Sequence, residues 1–146
     1  MHLDSRESRI PQHVIQAYLD ALYRIEVTPA FDLTIGEHHH GLDTLLRSNG
    51  MSSAALLTAY NPEGIVQDDS LNEIAQNQLL AILDDNSAYL LFAAEGRSRV
   101  GDWPSEKSVL IAGMDLDVAI KLGRVFNQNA LVFIRYGEAP QLILLR

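Results

Sequence analysis

The most informative feature of the chain is where its apolar positions change period. Val14, Ile15, Tyr18 and Leu22 share one stripe at helical spacing, and Pro11 suits a first helical turn, so a helix is expected over 11–22. The next stretch alternates: Tyr23, Ile25 and Val27 against Arg24 and Glu26, then Phe31, Leu33 and Ile35 beyond "TPA". Period two on both sides of a short break predicts a hairpin with one face less deeply buried. A short helix is expected over 42–48, closed by Asn49 and Gly50. The runs "AALLTAY" (54–60) and "SAYLLFAA" (87–94) are apolar on both faces, as interior strands are. Between them Ser70 and Glu73 have the spacing of a capping box. Leu71, Ile74, Ala75, Gln78, Leu79, Ile82 and Leu83 then form the inner stripe of a long helix. "SVLIA" (108–112), a helix over 115–124, "ALVFI" (130–134) and "QLILL" (141–145) complete the series.

This order predicts an α/β fold of α+β-like character: a single mixed β-sheet of about seven strands with four helices packed on it. The connections set the strand directions. Strands 31–35, 54–60 and 87–94 should run one way, and 108–112 and 130–134 the other. One edge of the sheet then gathers the loops around 36–41, 61–64, 95–107 and 127–129. Ligand crevices in such sheets form at the ends of strands of like direction, so this edge is where a site is expected. The turns "TPA" and "YGEAP" fall on the opposite edge.

Composition narrows the classes. With 146 residues, 47% apolar and 21% charged, the chain is expected to form a single globular domain over 1–146, with residues 1–9 frayed. No apolar run reaches the roughly 18 residues of a membrane span, and the opening residues lack the apolar segment of a signal peptide. With no cysteine there is no disulfide or thiolate chemistry, and a cytoplasmic location is the economical expectation. A net charge of −8 argues against nucleic acid, whose binding needs a dense basic face.

The candidate chemistry is polar and sparse. Asn61–Pro62 forms a turn on its own account and also offers a ligand-facing amide. Trp103 either plugs a loop against the core or stacks on a ligand. Glu106, just before a buried strand, is the best candidate acid or base if burial shifts its pKa; otherwise it is a solvated loop carboxylate. In "NQN" Gln128 and Asn129 can orient a polar ligand or bond loop backbones together. Asn72 stands in the first turn of the long helix, and Gln78 must find a partner or face a cleft. His38 and His40, with Glu37 or Asp43, invite a zinc reading. Adjacent histidines on a loop point different ways, however, so no metal and no cofactor are expected. Glycine-rich phosphate loops and nucleophile motifs are absent from the sequence.

"TAYNP", "LNEIAQNQLLAIL", "GDWPSEKSVLIAGM" and "FNQNALVFI", in this order, resemble a bacterial family of uncharacterised proteins, domain of unknown function family 3293. The resemblance extends from about Ala17 to Leu145. It singles out Asn61, Pro62, Asn72, Trp103, Pro104, Glu106, Ser108, Phe126, Gln128, Asn129 and Ala130, with Asn127 in place of a glycine and "WPSEKS" one residue longer than the pattern. It implies no activity. The expected function is binding of a small polar metabolite by Asn61, Asn72, Trp103, Gln128 and Asn129, with Glu106 as the catalytic candidate. The alternative is a non-enzymatic interaction or regulatory domain whose polar loops are structural, and strand 141–145 is a candidate edge for homodimer pairing.

Overall fold

The structure, a computed structural model, describes residues 7–146. Along the chain lie α1 (Gln12–Asp20), β1 (Leu22–Ile25), β2 (Phe31–Leu33), α2 (His40–Ser48) and β3 (Ser53–Leu57). They are followed by a 3-10 turn (Pro62–Gly64), α3 (Asp69–Asp84), β4 (Leu90–Arg97), β5 (Glu106–Ala112), α4 (Leu116–Val125), β6 (Ala130–Arg135) and β7 (Gln141–Leu144). Among the described residues, seven strands in one sheet and four helices give the expected α+β class.

The sheet order is β2-β1-β4-β5-β3-β6-β7, and every neighbouring pair is antiparallel. Followed across the sheet, these pairings send β2, β3, β4 and β7 one way and β1, β5 and β6 the other, as the connections require. Strands of like direction are never neighbours, so the mixture of directions yields no parallel ladder. The reason is the helical crossovers. The α2 connection carries the chain from the β2 edge to β3, four places away, and β1 and β5 fill intervening places with the opposite sense.

β3, β5 and β6 are buried on both faces, which explains their unbroken apolar runs. On one face Ala55, Leu57, Val109, Ile111, Leu131 and Phe133 meet Leu79 and Leu83 of α3 and Ala119 and Ile120 of α4. On the other, Ala54, Leu56, Leu110, Val132 and Ile134 meet Leu42 and Leu46 of α2. α1 seals a smaller cluster through Ile15, with Ile10 and Leu144. Of the segment expected to fray, residues 1–6 lie outside the described residues. The rest is held: Ser8 Oγ and Arg9 N donate to the Arg146 carbonyl at 2.5 and 3.3 Å, and Ile10 is buried. β7 does lie at an edge of the sheet.

The long helix departs from its apolar pattern. Its buried residues are Asn72, Gln76, Leu79 and Leu83, whereas Leu71, Ile74 and Ile82 are 51, 55 and 49% exposed and Gln78 is exposed. The inner face is turned toward polar residues because the chain leaving β3 has backbone amides that no strand satisfies. Gln76 Oε1 accepts from Ala59 N at 2.9 Å, and a buried N–H left without such a partner costs about 1–3 kcal/mol. The capping box does not form. Asp68 is the N-cap, without a side-chain bond, and Glu73 instead reaches Tyr60 Oη at 2.6 Å and Lys107 Nζ at 2.7 Å. This orientation of α3 is checked by urea denaturation of two variants. Leu79→Ala should lose about 2–5 kcal/mol and Ile74→Ala no more than about 0.5 kcal/mol. The reverse ranking would turn the helix over.

Candidate functional site

The site begins where β3 stops. Thr58 Oγ1 donates to the Lys107 carbonyl at 2.6 Å and accepts from Tyr60 N at 3.0 Å, so the strand's exit is fastened to β5. Asn61 then takes a left-handed conformation (φ 46°, ψ 65°), which asparagine tolerates better than most residues, and Pro62 opens the 3-10 turn. The turn is pinned to the segment before β6 by Glu63 N donating to the Asn127 carbonyl at 2.7 Å. Asn127 itself sits at φ 55°, where a residue other than asparagine or glycine would be strained.

Asn61 and Asn72 form a reciprocal pair. Asn61 N donates to Asn72 Oδ1 at 2.9 Å, and Asn72 Nδ2 donates to Asn61 Oδ1 at 3.0 Å. Gln67 completes the lock, its backbone N donating to Asn61 Oδ1 at 3.1 Å and its Nε2 to Asn72 Oδ1 at 2.8 Å. With Asn61 Oδ1 so engaged, its Nδ2 faces β5 and donates to Glu106 Oε2 at 2.6 Å.

Asn61 and Glu106 form one end of a cavity of about 500 Å³ between α1 and the sheet. Asn61, Trp103, Glu106 and Gln128 line it, so positions far apart in number come together as expected. Gln128 Nε2 is committed to the Tyr60 and Phe126 carbonyls at 3.1 and 3.4 Å. Much of the wall is apolar, including Val14, Ala17, Leu57, Leu131 and Leu142. Burial pushes the Glu106 carboxyl pKa up, and the Asn61 hydrogen bond opposes part of that shift. Asp102, which accepts from Ser98 Oγ, adds a second carboxylate, and among the described residues no lysine or arginine lines the cavity.

Two expected residues lie behind the cavity. Asn72 braces Asn61. Asn129 does the same for the wall, donating through Nδ2 to Tyr18 Oη at 3.0 Å and accepting from Arg146 Nη1 at 3.0 Å. The loop around 36–41 does not join the other three. Gly36 N donates to the Pro140 carbonyl at 2.9 Å, and Asp43 accepts from Gly137 N, because the crossover through α2 carries this loop to the β6–β7 turn.

Sequence reasoning missed the tyrosines. Tyr18, Tyr23 and Tyr60 all line the cavity, and burial raises the pKa of each, that of Tyr60 to about 12 with Glu73 adding to the shift. Tyr23 Oη donates to the Tyr18 carbonyl at 2.6 Å. The available signal was a hydroxyl carried on otherwise apolar stripes, since such a group must be satisfied or face a cavity.

The fold and site together define a single-sheet α+β protein with a carboxylate-ended cavity. Residues 57–131 match the family described as protein of unknown function (DUF3293), just over half of the chain, and the chain belongs to that family. No curated protein and no solved structure matches it. The matched segment holds Asn61, Asn72, Trp103, Glu106, Gln128 and Asn129, whereas α1, β1, β2 and the histidine run lie outside it.

The raised Glu106 pKa carries a pH signature. Below the ordinary carboxyl pKa of 4.5 the group is protonated in both folded and unfolded chains, and its favourable contribution is complete. As pH climbs through the raised value, the unfolded chain gives up this proton more readily and that contribution is lost. Glu106→Gln should therefore gain stability relative to the natural chain as pH rises above the ordinary carboxyl value of 4.5, read by urea denaturation at each pH. A difference that is flat or of opposite slope contradicts the burial of this carboxyl.

Proposed function

We propose that this protein binds a small metabolite in the cavity, with the ligand's apolar body against the α1 wall and a hydrogen-bond-donating polar end at Glu106. The observation that carries the reading is a concave, largely apolar space closed at one end by a carboxylate with burial-raised pKa. Few convergent polar groups in an apolar pocket of this size are typical of ligand sites. Among the described residues, Glu106 Oε1 and Gln128 Oε1 are acceptors without a protein donor. An amine, amide or hydroxyl would satisfy them. A phosphate or carboxylate would meet two acids and, among the described residues, no lysine or arginine. Trp103 and the tyrosines suit an aromatic or cationic group as well. A carboxyl poised above its ordinary pKa is also suited to general acid or base work, the role assigned to Glu106 if the bound metabolite is transformed. The cysteine-free composition keeps the cytoplasm as the proposed setting.

A second reading draws on α3, where Leu71, Ile74 and Ile82 leave an apolar face exposed. On that reading the protein docks a partner there, and the amides only lock the loops.

A thermal-shift screen of amines, amides and hydroxylated metabolites decides between them, with fluorescence of the lone Trp103 reporting entry into the cavity. A hit should raise Tm and change Trp103 emission. Glu106→Gln and Asn61→Gly should each weaken it by about tenfold or more, equivalent to about 1.4 kcal/mol. If every stabilising compound acts equally on both variants, the cavity is not the site.

A further inference from the structure

Away from the cavity, the histidine run resolves into two different environments. His39 faces the body of the protein: it caps α2 by accepting from Leu42 N at 3.4 Å, and its ring stacks on Phe31 with centroids 4.5 Å apart. His38 and His40 are exposed, and their rings meet edge to face at 4.7 Å. Neighbouring rings in the run therefore diverge, but alternate ones converge. Asp43 joins them from one turn further along α2, and one donor atom from each of His38, His40 and Asp43 lies within 4.8 Å of the others.

We propose that His38, His40 and Asp43 bind a divalent first-row transition-metal ion, of which zinc is the representative. The donor set is the first argument. Two imidazoles and a carboxylate suit zinc, whereas calcium and magnesium take oxygen ligands. The second is how the carboxylate is held. Asp43 Oδ1 accepts from Gly137 N at 2.9 Å, which leaves Oδ2 directed at His38 Nε2, 2.5 Å away. A ligand anchored through its other oxygen by a backbone N–H is the outer support metal ligands characteristically have. Tetrahedral bonds of about 2.0–2.1 Å set donors about 3.3 Å apart, so the donors must regroup slightly, within reach of exposed rings. Three protein ligands leave a coordination position for water. The α2 dipole opposes a cation at its first turn, but that effect is short-ranged and weakened by solvent, and inner-sphere bonds exceed it. The chain's net charge of −8 favours cation uptake. This cluster lies outside the family-matched segment and shares no residue with the cavity lining, so the inference stands apart from the proposed ligand.

The test is calorimetric titration of the full, untagged chain with zinc chloride, alongside thermal unfolding with and without zinc. One ion should bind at micromolar or tighter affinity and raise Tm. His40→Ala and Asp43→Asn should each weaken binding by about tenfold or more, and His38→Ala/His40→Ala should abolish it. His13→Ala, remote from the cluster, should leave it unchanged. The asparagine variant keeps an acceptor for Gly137 N–H, and unfolding without zinc checks that each variant folds. No saturable uptake, or uptake that survives the double substitution, overturns the proposal.

Discussion

The hydrogen bonds exchanged between Asn61 and Asn72 are the constraint on which the rest of the site depends. The chain must leave a fully buried strand, turn back and enter a long helix, and every backbone amide on that route needs a partner away from water. Asn72 supplies an acceptor and a donor from the first turn of α3, and Gln76 supplies an acceptor one turn later. With the Asn61 amide oriented by those bonds, its nitrogen is left for Glu106. The carboxylate is thus placed by a network whose primary duty is to satisfy a turn.

That dual service explains the character of the cavity. Asn129 and Gln128 spend their donors on Tyr18 and on backbone carbonyls, holding walls rather than projecting into space. What remains open is acceptor-rich and flanked by aromatic and aliphatic surface. A polar loop cluster has become an apolar cavity with a polar end, because most of its polarity is consumed internally.

Much of the fold was legible from periodicity. The strands were visible because β3, β5 and β6 are apolar on both faces, and their directions followed from helical and looped connections. The neighbours were not legible, since directions alone cannot tell that β1 and β5 intervene between like-directed strands. α3 was misread by about one residue of rotation for a physical reason: its inner face carries amides that the preceding backbone needs, so Leu71, Ile74 and Ile82 point outward while Leu79 and Leu83 stay inside. Of the cavity lining, the meeting of Asn61, Trp103, Glu106 and Gln128 was legible from chain direction. Tyr18 and Tyr23 were hidden among core-like residues. The position of the histidine run was hidden by the crossover through α2, and the pairing of His38 with His40 depends on His39 turning inward, which no spacing reveals.

The two ends of the cavity come from different parts of the chain. Asn61, Glu106 and Gln128 belong to the segment shared with the family, whereas Val14, Ala17 and Tyr18 are carried by a separate helix lying across it. Outline and polarity are thereby separable: resculpting α1 at Val14 or Ala17 reshapes the cavity's wall while leaving the contact between Asn61 and Glu106 untouched.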